Sequence, residues 1–415
     1  MTARRHRVVV TGLGVRTPAG STPKELWNTL SAAASTARTI TSFDTDRLPV
    51  DFACQIHDFD PSAYLSLKQA RRLDRCTQLA FCAATDALSD ATDGSGAITV
   101  PAERRAVIAG TGIGSQHTQE QALLQRDEYG HGKLRALHVP MIMPNAAAAV
   151  ISMSHDITGP SMTVSTACAS GTFAIGQALN LIRDGHADMA VAGGAEANVT
   201  PNNLLAFHRC RALSRRVDDP RTASRPFDTD RDGFVLGEGA AFLVLENLEG
   251  AVRRGAQIYA ELTGYAATSD AYHLVTPRPD GDGAYQCMRT ALGNARRTPA
   301  QVTHINAHGT STSLNDLGEA QAISRLFGDR AVPVTATKSI TGHAMGGAGA
   351  IEAAVVALTL RHQLIHPTAN LHTQDPACDI DLVTRPRPLV PGVVLSNSFG
   401  FGGHNGTLVF EPVPA

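Results

Sequence analysis

Val164-Ser165-Thr166-Ala167-Cys168-Ala169-Ser170-Gly171-Thr172-Phe173-Ala174-Ile175-Gly176-Gln177-Ala178-Leu179 reads as the end of a strand, a turn of small residues and the first turns of a helix. The strand-like entry is Met162-Thr163-Val164, and the helix is expected to run to about Arg183, with Gly185 as the residue that ends it. Its first turns, with Ala169, Gly171, Phe173, Ala174, Ile175 and Gly176, are small or apolar almost all round, which places the helix inside a core. Much of this pattern returns in Thr337–Ala354 (TKSITGHAMGGAGAIEAA), which also turns through small residues into an apolar helix. Three further pairs keep the same chain order. Val8–Gly12 matches Ala260–Gly264, the strand into Gly110-Thr111-Gly112 matches the strand into His308-Gly309-Thr310, and Gly239–Glu246 matches Gly406–Glu411. Short Val/Ile/Ala runs alternating with helical stretches predict α/β layers around a buried sheet. The repeat predicts two similar halves, residues 1–250 and 251–415, rather than two unrelated domains.

The bulk properties agree with a buried globule. Of 415 residues, 43% are hydrophobic and 18% charged, and the net charge of −2 argues against nucleic acid or an anionic membrane as the main partner. The run Val8-Val9-Val10 is too short for a signal-peptide core, and the apolar stretch ending in AAVVALTL contains Glu352, so a cytoplasmic protein is expected. Seven cysteines (54, 76, 82, 168, 210, 287, 378) form no C-x-x-C pair, and their odd number fits free thiols in a reducing compartment.

Cys168 stands apart from the rest. At a helix entrance it meets unpaired N–H groups and the positive end of the dipole, which favour thiolate. Buried cysteines are also common as small hydrophobes, and this segment alone leaves the two readings level. Three other segments concentrate unusual residues. Asn306-Ala307-His308-Gly309-Thr310-Ser311-Thr312 leaves a strand, where loops shape pockets. Lys338-Ser339-Ile340-Thr341-Gly342-His343 puts a Lys and a His at a helix entrance, and Asn397–Asn405 (NSFGFGGHN) is a turn too rich in Gly for ordinary packing. Gly12-Leu13-Gly14 lacks the third Gly of the dinucleotide fingerprint, and no phosphate-loop, G-x-S-x-G or H-E-x-x-H motif occurs, so no metal site is expected.

Taken together and in this order, the four segments resemble the β-ketoacyl-acyl-carrier-protein synthases of the elongating Cys-His-His type. These include synthase II of fatty-acid synthesis and the ketosynthases of type II polyketide synthesis. The likeness runs from VVVTGLGV to GFGGHNGTLVF and takes in Ser224–Asp228, Arg231–Phe234 and Gly237–Ala240. It implies the thiolase fold, two duplicated α/β halves in an αβαβα arrangement. It also implies an acyltransferase that joins a Cys168-bound acyl chain to a decarboxylating malonyl unit. The family's functional residues would then be Cys168, His308, His343 and Lys338, with the N–H groups of Cys168 and Phe401 as oxyanion hole. Thr310 and Thr312 would hold malonyl and pantetheine, Phe401 would gate the acyl tunnel, Ile113 would line it, and Glu352 and Asp316 would support the site. Arg211, with Lys68, Arg71 and Arg72, would dock the carrier.

The resemblance implies no permanently bound cofactor: substrates arrive on the phosphopantetheine arm of acyl carrier protein. The partner subunit is expected to be a second copy or a homologous chain-length factor. A thiolase would need a second cysteine in the GFGGHN turn, and a chain-length factor would lack the nucleophile. GFGGHN and LGEGA look like fatty-acid enzymes, whereas Asn315-Asp316, Ala271–Leu274 and Gly14–Pro18 look like the polyketide type. The mixture points to a ketosynthase for a reduced, polyene-like chain, with fatty-acid elongation as the alternative.

Overall fold

A computed structural model describes residues 5–92, 97–129 and 134–413. Among these, eleven strands form one sheet. In chain order they are β1 (Val8–Arg16), β2 (Arg105–Gly110), β3 (Ser161–Val164), β4 (Met189–Glu196), β5 (Gly239–Asn247) and β6 (Ala260–Ser269). The remainder are β7 (Val302–Asn306), β8 (Pro333–Thr335), β9 (Asp381–Leu382), β10 (Val393–Gly400) and β11 (His404–Glu411). Counted outward from the centre, one side runs β1-β5-β4-β2-β3 and the other β6-β11-β10-β7-β8, with short β9 at that edge. Corresponding strands also agree in direction: two antiparallel pairings nearest the centre, then two parallel ones. The sides meet where Val9 pairs with Glu261 and Val10 with Ala260, antiparallel. The repeat seen in the sequence is therefore a repeat of strand order and direction.

Two helices fill the space between the half-sheets. α3 (Ser170–Arg183) contacts β2 and β4 on one side and β6 and β11 on the other, and α6 (Ala348–His362) packs against β5, β4, β10 and β11 as well as α3. Their sequences dictate the position, because every residue of α6 from Ala348 to Leu360 is buried and only an all-round apolar helix tolerates that. The two approach closely at Gly171, where a Cβ would come within 2.7 Å of the Ala350 backbone nitrogen. α1 (Arg75–Ala91) and α2 (Ala146–Ser154) cover the outer face of the first half-sheet, and α4 (Asp282–Ala295) covers the second, with α5 (Ser313–Phe327) against it. The layers are αβαβα, the thiolase fold. α3 ends at Gly185 as expected, with positive φ there. Among the described residues, no helix is long and apolar enough to cross a membrane.

Candidate active site

The turns after the strands bring both halves to one cavity of about 270 Å³, lined by Cys168, His308, His343, Phe401, Thr310 and Thr312 among others. Cys168 lies just before Ala169, the N-cap of α3, and is 4% exposed. The turn delivers it through Ala167, held at φ 50, a left-handed conformation that a residue with a Cβ adopts at some cost. Ser170 fixes the turn by accepting the Thr166 N–H at 2.9 Å and donating to the Ala167 carbonyl at 2.6 Å. The N–H groups of Phe401 and of Cys168 itself both point at the sulfur. The expected bias toward thiolate is corrected here. Burial dominates and pushes the thiol up to about 12, against the pull of the Lys338 charge and the two N–H groups, so the resting form is the neutral thiol.

The second half supplies the charged side of the cavity. Lys338 is 1% exposed, and its Nζ faces three acceptors: His308 Nδ1 at 3.1 Å, the His308 carbonyl at 2.7 Å and the Glu352 carboxylate. An ammonium group has three N–H donors, so all are used. Because Lys338 donates to Nδ1, the proton of neutral His308 must sit on Nε2. His343 Nδ1 is buried with no partner among the described residues, and an idle acceptor there costs less than an idle N–H, which again puts the proton on Nε2. Burial first and the Lys338 charge second hold both imidazoles well below the usual histidine range, and they are neutral at physiological pH. Their rings meet edge to face at 5.5 Å, with Phe399 set edge-on to His308 and Phe234 to His343.

Carboxylates absent from the cavity wall hold its loops. Asp316 accepts the N–H groups of Thr310 at 3.0 Å, Ser311 at 3.1 Å and Phe227 at 2.9 Å. Glu352, pushed up to about 7 by burial against the opposing pull of Lys338, is the ammonium's anionic partner. Sequence reasoning missed two more. Glu319 accepts from the N–H groups of His308 at 2.8 Å and Gly309 at 2.9 Å, and Glu196 accepts from those of Gly112, Gly114 and Gly346 at 2.6, 2.8 and 3.0 Å. A signal existed for both: Glu319 lies one turn beyond Asp316 on α5, and Glu196 closes a strand that is otherwise small and apolar.

The remaining expected residues divide. Thr310 and Thr312 both line the cavity and share a hydrogen bond of 2.9 Å, and Arg211 stands exposed at its rim. Lys68, Arg71 and Arg72 are exposed in and beside the short helix Leu67–Ala70 and do not reach the cavity wall. Ile113 is 41% exposed in the single chain and does not line this cavity. The N–H groups of Gly112, Ile113 and Gly114 all turn inward to Glu196, while the Ile113 side chain remains open to solvent.

Comparisons with known proteins agree with this geometry. Residues 5–251 match the family model for the beta-ketoacyl synthase N-terminal domain, and residues 259–372 match its C-terminal domain. The chain is 43% identical to the 3-oxoacyl-[acyl-carrier-protein] synthase 2 of Synechocystis sp., across 98% of each sequence. It is 41% identical to that of Staphylococcus aureus (strain COL), across 100% of each. Among solved structures, the ishigamide ketosynthase/chain length factor matches with a TM-score of 0.90 and 36% identity, over 99% of this chain and 100% of that one. A type II PKS acyl-carrier protein in complex with its ketosynthase bound to the hexaketide matches with a TM-score of 0.91 and 33% identity, over the same shares. With its fold, cavity and whole-length likeness in agreement, the chain belongs to the beta-ketoacyl synthase family and is a condensing acyltransferase, a β-ketoacyl-acyl-carrier-protein synthase.

Proposed function

We propose that Cys168 accepts an acyl chain from the phosphopantetheine arm of an acyl carrier protein, and that His308 and His343 then drive decarboxylation of a carrier-bound malonyl unit. The observation that carries this reading is the meeting of a buried thiol and two neutral imidazoles in one cavity, one of the imidazoles held by a buried ammonium. In the first step the Cys168 sulfur bonds to the acyl carbon and the pantetheine sulfur leaves carrying the thiol proton. The N–H groups of Cys168 and Phe401 stabilise the tetrahedral oxyanion.

In the second step the malonyl carboxylate leaves as CO₂, and its bonding electrons form an enolate. The thioester oxygen of that enolate is held by the Nε2–H groups of His308 and His343. Neutral donors suit this task, since they stabilise developing negative charge without surrendering a proton to the carbon that must react. The enolate carbon attacks the Cys168 thioester, forming the new C–C bond and expelling the Cys168 sulfur, which regains a proton. Thr310 and Thr312 hold the pantetheine and malonyl groups, Phe401 gates the acyl chain, and Arg211, Lys68, Arg71 and Arg72 attract the acidic carrier. No cofactor is held permanently.

The pathway we propose is type II polyketide synthesis of a reduced, polyene-like chain. Asn315-Asp316 and Ala271–Leu274 support it, as does the likeness to an ishigamide ketosynthase/chain length factor. The second reading, fatty-acid elongation, is favoured by the 43% identity to a synthase 2. In both, a second thiolase-fold chain covers the edge strand β3, where Met162 stands exposed. That chain is another copy or a chain-length factor. Incubation with malonyl-carrier and a series of acyl-carriers, with and without a candidate partner subunit, tests the pathway by product mass. Condensation that needs the partner supports the polyketide reading, and efficient saturated-chain elongation by the protein alone overturns it.

A further inference from the structure

The segment His366–Asn370 carries no residue with a role in the chemistry, yet it clasps the residues that lead into Lys338. Thr368 Oγ1 accepts the N–H of Ala336 at 3.0 Å, and the N–H of Ala369 donates to Ser339 Oγ at 2.9 Å. Wholly buried beside them is His366. Its Nδ1 is 3.0 Å from the Pro367 carbonyl, and since a carbonyl only accepts, Nδ1 carries the proton. Nε2 is then an acceptor, and it faces the hydroxyls of Thr335 at 3.4 Å and Thr337 at 3.3 Å.

The proton directions follow from there. Thr337 Oγ1 donates to Asn306 Oδ1 at 2.7 Å, so Thr335 is the hydroxyl that donates to His366. Thr335 Oγ1 is in turn 2.9 Å from Nε2 of buried His304, which serves as its donor. Burial holds His366 down to about 4 and His304 down to about 3, which keeps both neutral in this chain of bonds. Beside this chain, the separate bond from Thr337 to Asn306 joins the residue immediately before Lys338 to one two residues before His308. Thr335 and Asn306 are paired residues on neighbouring strands, so the network spans the seam between the two functional segments.

We infer that His366 is a positioning residue which, bonded to Thr335 and in contact with Thr337, fixes the spacing between Lys338 and His308. It thereby maintains the bond that keeps the His308 proton on Nε2, and it touches neither substrate nor reacting atoms. This rests on the roles proposed above for Lys338 and His308. Acyl transfer to Cys168 uses different groups, so the two half-reactions should respond differently.

The test measures each half-reaction in single turnover: acyl transfer from acyl-carrier to Cys168 by protein mass, and CO₂ release from malonyl-carrier. His366→Leu is expected to slow CO₂ release by about tenfold while acyl transfer stays within about twofold. His366→Gln, whose amide oxygen retains an acceptor, is expected to recover most of the rate. Equal loss in both half-reactions, or Gln behaving like Leu, would overturn the inference. Thr335→Val, which removes the hydroxyl that bonds His366 at nearly constant volume, gives the same readout should the Leu variant not fold. Lys338→Ala is run beside them: if it leaves CO₂ release intact, the fault lies in the role given to Lys338 and not in that given to His366.

Discussion

The two halves of the molecule place the same kind of connection, strand to turn to central helix, on either side of one cavity, and fill it with opposite chemistry. In the first half the path from β3 to α3 is short, with five residues between Val164 and Ser170. It holds one functional side chain, and that side chain is uncharged. In the second half the path from β8 to α6 is longer, with a short helix Lys338–Thr341 and a 3₁₀ turn Met345–Gly347 in between. That added length carries Lys338 and His343 and allows a charge to be buried, because Glu352 on α6 is there to meet it. Duplication supplied the scaffold twice. The turn decides which half presents the neutral thiol of Cys168 and which the buried pair of Lys338 and Glu352.

The sharpest way to break this contrast is to delete the proposed nucleophile alone. Cys168→Ala should abolish condensation, a loss on the order of a thousandfold or more, yet leave malonyl decarboxylation measurable, because the second half is untouched. Product mass and CO₂ release follow the two activities. Condensation surviving in that variant would remove the division of labour altogether.

The buried ion pair comes next. Lys338→Met strands the Glu352 carboxylate in the core, and breaking such a pair costs about 3–5 kcal/mol. The double variant Lys338→Met/Glu352→Leu should recover most of that stability in urea unfolding but none of the decarboxylation. Recovery of both would mean that Lys338 serves packing and not the histidines.

The protonation states separate the halves by pH. With the thiol pushed up to about 12, alkylation of the Cys168 peptide should rise about tenfold per pH unit between pH 7 and 9 and show no plateau there. A free thiol would begin to level near its usual value of about 8.5. The histidines give the opposite sign. Their depressed values keep them neutral as pH falls through 6.5, so the histidines should add no acid limb to decarboxylation there. Any limb near 7 should come from Glu352, pushed up to about 7, and vanish in Glu352→Gln; a limb near 6.5 that persists in that variant would place an imidazolium in the mechanism.

Much of this was legible in the chain. Chain order and hydrophobic spacing showed the repeat, and the all-round apolar character of Ala348–Leu360 showed where α6 had to lie. The four segments bearing Cys168, His308, Lys338/His343 and Phe401 were all visible as clusters of residues that core packing does not ask for. Thiol ionisation was not legible, because it depends on a competition between helix-end N–H groups and burial that only three-dimensional placement decides. Glu196 and Glu319 stood out only by position, and their task was not legible for a related reason: each acts on backbone N–H groups of a distant or neighbouring loop, which carry no side-chain signature. The placement of Ile113 outside the cavity was not legible either, since it follows from its loop's N–H groups turning toward Glu196.

The smallest expected effect lies at the rim and concerns which half receives the carrier. Arg211 belongs to the first half and stands where the cavity opens, while the second half offers neutral groups there, among them Thr276 and Leu314. Arg211 sits at φ 55, a left-handed conformation unfavourable to any residue with a Cβ, so Arg211→Ala changes the charge without altering that backbone cost. The expected result is a rise of about two- to fivefold in KM for the acyl-carrier with kcat unchanged, since a rim charge acts on encounter and not on the reacting atoms. The difference should fade at about 0.5 M salt, where the screening length falls to a few ångströms. An acyl-pantetheine substrate without the carrier protein should show no difference at any salt. If the effect persists with acyl-pantetheine, Arg211 belongs to the cavity rather than to the docking face, and the first half then contributes a charge to the site as the second half does.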